Sequence, residues 1–298
     1  MVYRAKKILI RALDNIVKLK NKARFLIPVT HKRYIKRKFL RQHGYTINFK
    51  VPITLTEKIQ WLKLYGSLEK YAKYVDKNEV RNYVKEMVGE KYLIPKIGVY
   101  ENANDINIDL LPKKFIVKAT HGSGWNMIVK DKAELDWFKA KERIESWINT
   151  NYFYVSGEKN YKNIRGRVII EQLIEDSAGD MKEYKFYCYH GEPQYTVAVK
   201  VTENTRKKGY YDVNWNWLNM NISGLPDTNI SVKKPYHYNE MLEISRKLSD
   251  GFPFVRVDLY YSHGKIYVGE LTFTPNNGFG KFSDFKFDRL FGEPLIIP

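Results

Sequence analysis

A lysine followed by a glycine-rich loop is the first feature of this sequence with an evident chemistry. Lys118 ends the apolar run FIVK, and Gly122, Ser123 and Gly124 follow it before a second apolar run begins. The backbone of such a loop can approach an anion closely and point its N–H groups at it. A P-loop places its lysine after the glycines, and a dinucleotide fingerprint opens a helix, so neither pattern is met. The spacing predicts a loop between two strands that holds phosphate.

Two carboxylates and an arginine meet in a predicted C-terminal hairpin. In FVRVDLYY, residues 254–261, strand alternation places Arg256 and Asp258 on one face. A turn centred on Gly264 sets Asp258 opposite Glu270 of the next strand. The face of that strand that carries Glu270 is predicted to consist of Ile266, Val268, Glu270 and Thr272. Opposed acids repel unless a cation lies between them, which suits Mg²⁺ carrying substrate phosphates; a solvent-facing ladder of charges is the alternative.

Changes in periodicity predict the elements that position these residues. Four helices are expected, at residues 55–64, 76–88, 133–148 and 239–248. The first begins with a capping box of Thr54 or Thr56 with Glu57, the second begins on an N-capping Asp76, and Phe138 of the third is expected to face inward. Strands are expected at residues 94–99, 115–119, 127–129, 167–173, 184–189, 193–201, 254–261 and 265–273. This order of elements predicts an α+β fold with antiparallel hairpins.

The composition is typical of a globular protein. The chain has 298 residues, of which 44% are hydrophobic and 15% aromatic. Cys188 is the only cysteine, so no intramolecular disulfide can form, and we expect it to be a small core residue. No window approaches the roughly 18 uncharged apolar residues of a membrane span, and the N-terminus lacks the pattern of a signal peptide. A cytoplasmic protein is therefore expected.

Positive charge is concentrated at the N-terminus. The whole chain has a net charge of +18, and residues 1–50 hold fifteen Lys or Arg against one acid, Asp14. Residues 4–20 have the pattern of an amphipathic helix, with Leu9, Leu13, Ile16 and Val17 in one stripe. That helix suits peripheral contact with an anionic membrane, and packing on the main domain is the alternative. Nucleic acid is not expected as a partner, because aromatic residues are not interleaved with this basic run.

Several segments, in order, resemble an ATP-grasp ligase, most closely the TupA-like branch found in bacterial polysaccharide gene sets. They are LTEKIQWLKLY, DKNEVR, LPKKFIVKATHGSG, VIIEQLI, EYKFYCYHGEP and VRVDLYYSHGKIYVGELTFTPNNGFG, within residues 55–281. The resemblance implies a nucleotide held between two antiparallel β-sheets with flanking helices. It also implies four regions: a basic segment at 1–50, a helical or α/β subdomain at 51–112, a lid subdomain with the loop at 113–175, and a catalytic subdomain at 176–298.

The resemblance also assigns roles around ATP. Lys118 would reach the phosphates under the glycine loop, and Arg81 stands where many relatives have a second phosphate-binding lysine. The backbone of residues 171–174 would pair with adenine, and Glu183 or Asp180 would hold the ribose. The full ATP-binding set is Arg81, Lys118, Gly122, Ser123, Gly124, Glu171, Gln172, Leu173, Ile174 and Glu183. His121, beside the loop, would contact phosphate or cap a turn.

Metal and substrate roles follow from the same resemblance. Asp258 and Glu270 match the magnesium carboxylates, and Arg256 matches the arginine that faces the reacting oxygens. Thr272 stands where relatives have an asparagine ligand, so its hydroxyl, Asn276, Asn277 or water would complete the metal shell. The acceptor side would be lined by Asn277 and Gly278.

The implied activity is carboxylate activation with ATP and Mg²⁺: an acyl phosphate forms and an amine displaces phosphate. The implied partners are an acidic glycan or lipid-linked saccharide and an amino acid or other amine, joined at a uronic acid carboxyl of a capsular or other surface polysaccharide. Trp215 and Trp217 would form a sugar platform or pack in the core. Two other functions stay open: a glycosyltransferase, and a basic membrane- or nucleic-acid-binding module with a degenerate nucleotide site.

Overall fold

The computed structural model of the chain describes residues 23–175, 181–201, 206–222 and 231–297. The predicted helix at residues 4–20 and the alternative ribose contact Asp180 lie outside these ranges. Within them, no helix combines the length and the hydropathy needed to cross a membrane.

Helices and strands occur in separate runs along the chain, as expected of an α+β fold. The helices are α1 (Pro28–His43), α2 (Leu55–Tyr65), α3 (Ala72–Val75), α4 (Val80–Met87), α5 (Trp137–Ile148), α6 (Phe153–Ser156), α7 (Tyr238–Ser249) and α8 (Phe285–Gly292). The strands are β1 (Lys96–Tyr100), β2 (Phe115–Ala119), β3 (Asn126–Val129), β4 (Val168–Gln172), β5 (Met181–Tyr189), β6 (Glu192–Val201), β7 (Arg206–Asp212), β8 (Trp217–Leu218), β9 (Phe254–Ser262) and β10 (Lys265–Thr272).

A four-stranded antiparallel sheet has the order β1-β4-β2-β3. Phe115 and Val117 on one of its faces pack against Ile144 and Trp147 of α5 in a buried cluster. The helix begins four residues later than predicted, because the Asp136 side chain accepts a hydrogen bond from the Lys139 N–H and caps it there. The inward orientation predicted for Phe138 is wrong, since this residue is 74% exposed. The other face of this sheet is free to carry Lys118.

A six-stranded antiparallel sheet has the order β10-β9-β5-β6-β7-β8. Two of its hairpins turn through His-Gly pairs with positive φ at both positions: 49° and 86° at residues 190 and 191, and 49° and 75° at residues 263 and 264. Such two-residue turns match the twist of the strands they join. On one face of β9, Val255, Val257 and Leu259 are buried in the main core, as predicted. The opposite face therefore presents Arg256 and Asp258.

A β-bulge at Gly269 determines which side chains of β10 accompany them. The register shifts between Val268 and Glu270, so that Asp258 and Glu270 are partners as predicted. The cause differs from the prediction, since the turn lies between Ser262 and Lys265 and the bulge supplies the extra residue. Grouping Val268 with Glu270 on one face is therefore wrong. Val268 packs in the main core, while Glu270 turns to the opposite face.

Helix starts in the N-terminal half are set by polar side chains. The predicted capping box is confirmed: Thr54 accepts from the Glu57 N–H, and Glu57 accepts from the Thr54 N–H. The predicted start of the next helix is wrong. Asp76 accepts from the N–H groups of Asn78 and Glu79 within a turn, so helix α4 begins only at Val80.

Helices α1 and α8, and the four-residue helices α3 and α6, were not predicted from the sequence. In α1, Ile35 and Phe39 are fully buried against Ile47 and Phe279. The helix ends at Gly44, whose φ is 82°. Its many basic residues obscure the apolar stripe. Phe279 follows Gly278, so this basic helix packs directly behind the predicted acceptor side.

Candidate active site

The two sheets face each other across a cleft lined by charged side chains. Lys118 of β2 and Glu171 of β4 project from the face of the four-stranded sheet that is opposite its buried cluster. The Lys118 Nζ lies 5.8 Å from the centre of the Tyr260 ring on β9. Lys118 therefore reaches from one sheet to the other.

Glu171 holds two of the predicted phosphate-binding cations. Its Oε2 is 2.8 Å from the Lys118 Nζ, and its Oε1 is 2.9 Å from an Arg81 guanidinium nitrogen. A second Arg81 nitrogen donates to the carbonyl of Ile94 at 2.9 Å. Glu171 and Lys118 are both buried. The carboxylate thus fixes both cations at one side of the cleft, a role that sequence reasoning did not assign to this side chain.

Both glycines of the loop occupy positions where another side chain would be sterically unfavourable. A Cβ at Gly122 would lie 2.9 Å from the Trp125 ring, and Gly124 has a φ of 73°. Ser123 between them is exposed. Lys77 donates to the Gly122 carbonyl at 2.6 Å and holds the loop near Glu270.

Lys77 is a cation of the cleft that the sequence did not reveal. Burial lowers the pKa of Lys77, Glu270 opposes that shift, and Lys118 adds to it. It precedes Arg81 in the segment DKNEVR, where only Arg81 had been assigned. His121 is buried away from the cleft: its ring nitrogens lie 2.9 Å from the Trp147 carbonyl and 3.4 Å from the Arg167 N–H. A structural role therefore fits His121 better than a phosphate contact.

The predicted adenine segment begins inside the sheet and ends outside it. Glu171 pairs with Lys96 of β1 and with Ile116 of β2. The Gln172 N–H donates to the Pro95 carbonyl at 3.0 Å, and Gln172 is exposed. Leu173 and Ile174 follow the strand and are half-buried. These last two residues are therefore the ones whose backbone leaves the sheet.

The six-stranded sheet presents a continuous network of ion pairs to the cleft. Two nitrogens of Arg256 donate to the two oxygens of Asp258 at 2.6 and 2.7 Å. Lys185 of β5 lies 2.5 Å from both Asp258 and Glu183. Arg206 is 3.4 Å from the other oxygen of Glu183. Asp258 and Glu183 are buried, so the network fixes Arg256 in the cleft.

Glu270 and Thr272 are the accessible oxygen donors at the edge of this network. The Glu270 side chain is 34% exposed, and its Oε1 is 3.1 Å from the Thr272 hydroxyl and 3.4 Å from Arg256. Burial alone would raise the pKa of Glu270, but Lys77, Arg256 and Lys185 outweigh it and lower that pKa to about 2. Glu270 is therefore ionised at neutral pH.

The donor set fits Mg²⁺ at Glu270 better than at Asp258. Ionised carboxylate and hydroxyl oxygens are the ligands that this ion prefers, and Glu270 and Thr272 offer them. Both oxygens of Asp258 already accept from Arg256 and Lys185. In the part of the chain that the structure describes, no group of three or more His, Cys, Asp or Glu side chains is arranged as a metal site.

The predicted acceptor residues are held by internal contacts. Asn277 donates from its side chain to the Ser156 carbonyl at 2.9 Å and accepts from Lys63. The Gly278 carbonyl accepts from Gln60 at 2.7 Å, and its φ is 65°. These contacts fix the segment that follows β10. Asn276 next to them is exposed.

Cys188, Trp215 and Trp217 are the remaining residues for which the sequence suggested a role. Cys188 is buried in the core, as predicted. Trp215 stacks on Tyr211 with ring centres 4.1 Å apart and donates to the Val232 carbonyl, which favours the packing alternative for it. Trp217 is 45% exposed. A sugar platform made of both tryptophans is therefore not formed.

The chain matches a known family over most of its length. The family model described as TupA-like ATPgrasp covers residues 57–296. The chain belongs to the TupA-like ATP-grasp family. This confirms the resemblance and the ATP-grasp fold, with its two antiparallel sheets and flanking helices. No curated protein matches the chain in sequence.

Solved structures of ligases are similar to this chain at low sequence identity. D-alanine–D-alanine ligase from Bacillus anthracis, complexed with ATP, is 17% identical with a TM-score of 0.40, over 67% of this chain and 53% of that one. The D-alanine–D-alanine ligase from Helicobacter pylori is 16% identical with a TM-score of 0.43, over 82% and 68%. D-cycloserine synthetase DcsG is 13% identical with a TM-score of 0.40, over 75% and 69%. The chain spans about half the length of the first of these.

Proposed function

We propose that this chain is an ATP-dependent carboxylate–amine ligase that works through an acyl phosphate. Family membership supports the use of ATP. The observation that carries the proposal is the convergence of charge across the cleft. Lys118 and Arg81 are held at one side by Glu171, while Arg256 and Glu270 face them from the other sheet. Such an arrangement suits a phosphoryl group that passes between two substrates.

Each part of the cleft has a task in this reaction. Lys118, Arg81 and the N–H groups around Gly122 and Gly124 bind and neutralise the phosphates of ATP. A substrate carboxylate oxygen attacks the γ-phosphorus and ADP leaves. The amine nitrogen then attacks the carbonyl carbon, phosphate leaves, and the amine proton passes to solvent. Arg256, fixed by Asp258, stabilises the negative oxygen that develops in both steps.

Glu270 and Thr272 would hold Mg²⁺, which supplies charge neutralisation for the phosphates. Asp258 would join them through whichever lone pair Arg256 and Lys185 leave free. Glu183, buried beside Lys185, would hold the ribose, and the backbone of residues 172–174 would pair with adenine. The loop of Asn276 to Gly278 would border the acceptor.

An acidic acceptor is supported by the charge of the N-terminal region. Residues 23–50 contain eight Lys or Arg and no acid. Arg33, Arg37 and Arg41 follow one another at helical spacing on the exposed side of α1, along a groove of about 690 Å³. An acidic glycan, or a lipid-linked saccharide at the inner leaflet of an anionic membrane, complements this surface. We therefore propose a uronic acid carboxyl of a surface polysaccharide as the site of amide formation.

The test is ADP release from ATP in the presence of candidate pairs of uronic acids and amines, with mass spectrometry of the product. An amide product would support the proposal of a ligase. A glycosidic product would instead indicate a glycosyltransferase. Lys118→Met should reduce turnover by at least about a hundredfold, the usual loss for one preorganised contact to developing charge. Lys114→Met is the matched control, because Lys114 is exposed and lies on the same segment. Equal turnover in the two variants would contradict the role of Lys118.

A further inference from the structure

A second, smaller cavity lies beside Arg256, on the large sheet. Its volume is about 160 Å³, and its walls come from β5, β6, β7 and β9 together with residues 222 and 276. Glu270 lies on β10, at the edge of the sheet beyond β9. Arg256 therefore stands between the proposed magnesium ligand on one side and this cavity on the other.

Among the residues that the structure describes, four cationic side chains and no acidic side chain line the cavity. The cationic ones are Lys185, Arg206, Lys208 and Arg256. Three of them are bonded to carboxylates that lie outside the cavity: Arg256 and Lys185 to Asp258, and Lys185 and Arg206 to Glu183. The network behind the cavity thus orients positive charge towards its interior.

Lys208 differs from the other three cations. It is half-buried, and within the described ranges its side chain makes no hydrogen bond or ion pair. Burial lowers the pKa of Lys208, and Arg206, Lys185 and Arg256 lower it further, while Glu183 opposes the shift. A half-buried ammonium group beside three other cations is unfavourable unless an anion joins them. A negative group inside the cavity would therefore add to the attraction that Glu183 provides.

The floor of the cavity is formed by short apolar side chains, which leave space for an anionic group. Strand pairing sets Lys208 opposite Val199 and Tyr210 opposite Val197, so two valines separate the cations of β7 from Lys185. The short side chains leave an apolar floor between charged walls. This suits a carbon arm that ends in anionic oxygens.

We propose that this cavity binds an anionic group, a carboxylate or a phosphate, on the substrate whose carboxyl reacts beside Arg256, with Lys208 and Arg206 as the binding residues. The inference rests on the proposed function and refines it, because the substrate then carries at least two negative groups. The reacting carboxyl lies towards Glu270 and the second group enters the cavity. A substrate with only one carboxylate would place no anion beside Lys208 and bind weakly.

The experiment measures binding of small dianions to the full chain after its nucleotide site is saturated. The protein is first titrated with Mg²⁺ and a non-hydrolysable ATP analogue, then with inorganic phosphate and separately with succinate, by calorimetry at low salt. Wild type, Lys208→Met and the matched control Lys207→Met are compared. Lys207 is exposed and alternates to the other face of β7.

Wild type and Lys207→Met should bind one of the dianions saturably, and Lys208→Met should bind it at least about tenfold more weakly, the effect of losing one charge-assisted contact. The dianion that binds more tightly identifies the group as phosphate or carboxylate. Arg206→Gln, at a guanidinium that is 55% exposed, gives a second reading that does not depend on folding of the Lys208 variant. Absence of binding in wild type, or equal affinity in all variants, overturns the proposal.

Failure of the proposed function gives a different result. It would appear in the first titration, as absence of nucleotide binding in wild type and in every variant. The dianion titration then still reports on the cavity through the comparison of Lys208→Met with Lys207→Met.

Discussion

Replacing Glu171 by glutamine should weaken the fold and increase the stabilisation that ATP provides. The carboxylate lies 2.8 Å from Lys118 and 2.9 Å from Arg81, and all three side chains are at most 15% exposed. Glutamine keeps the shape of the side chain but removes the negative charge between two cations. Lys118 and Arg81 then repel each other without compensation in a region that excludes water.

The magnitude follows from these distances. At an effective dielectric constant of about 20, two charges about 4 Å apart interact by roughly 4 kcal/mol. The variant loses this attraction in both ion pairs of Glu171. It also avoids the cost of burying the carboxylate, which offsets part of the loss. Removing one partner of a buried pair costs about 3–5 kcal/mol in other proteins. We expect about 3 kcal/mol here, which corresponds to a decrease in melting temperature of roughly 5 °C for a chain of this size.

Bound ATP should reverse much of this loss, because in the proposed binding mode its phosphates would place negative charge next to the same two cations. The measurement is thermal unfolding of wild type and Glu171→Gln with and without Mg²⁺ and a non-hydrolysable ATP analogue. The nucleotide should raise the melting temperature more in the variant than in wild type. Glu175→Gln is the control, because Glu175 pairs with the exposed Lys114 and should change stability by less than about 1 kcal/mol. A Glu171→Gln protein as stable as wild type, or one that gains no more from the nucleotide, would refute the reasoning.

Three further predictions address other parts of the chain. Burial raises the pKa of Asp288 to about 6, so its contribution to stability is present below pH 4 and is lost as the pH rises through 6. Asp288→Asn should remove this pH-dependent loss of about 3 kcal/mol in the free energy of unfolding, measured by urea unfolding of wild type and variant at pH 4 and 7.5. The same change of stability with pH in both proteins would contradict the prediction. Glu270→Gln should raise the Mg²⁺ concentration for half-maximal turnover at least about tenfold, and an unchanged requirement would remove Glu270 as a ligand. Changing Arg33, Arg37 and Arg41 together to Gln should reduce sedimentation with anionic vesicles at low salt, at about 1 kcal/mol per charge, without altering the melting temperature; unaltered sedimentation would contradict the membrane contact.

The hairpin of β9 and β10 shows what strand periodicity predicts and where it stops. Alternation correctly placed Arg256 and Asp258 on one face, because β9 runs without irregularity. On β10 the same rule failed at Gly269, where one extra residue reverses the alternation. A Cβ there would lie 2.7 Å from the Tyr260 ring, so the glycine is required. Gly269 and Tyr260 are nine residues apart and lie on neighbouring strands, so the local sequence around Gly269 does not predict this contact.

Contacts between distant segments explain the cations that were missed. Lys185 shares a strand face with Glu183, and this was readable from the alternation in EYK. Lys77 was not readable, because its position at the Gly122 carbonyl depends on packing of a turn against a loop forty-five residues away. The same holds for the Glu171 side chain, whose two partners come from α4 and β2.

These contacts also bear on how tightly the cleft holds its substrates. Lys118, Arg81, Lys185 and Arg256 are each bonded to a carboxylate of the chain itself. Such pairing keeps the cations in place before any substrate arrives, which lowers the entropy lost on binding. It also means that a phosphate must compete with Glu171 for Lys118 and Arg81, so part of the electrostatic gain is already present in the free protein. Among the described residues no carboxylate is bonded to Lys208, which only feels the attraction of Glu183, so an anion that reaches Lys208 gains more of the interaction. Discrimination between substrates should therefore depend more on the cavity beside Arg256 than on the paired cations that we propose to bind the nucleotide.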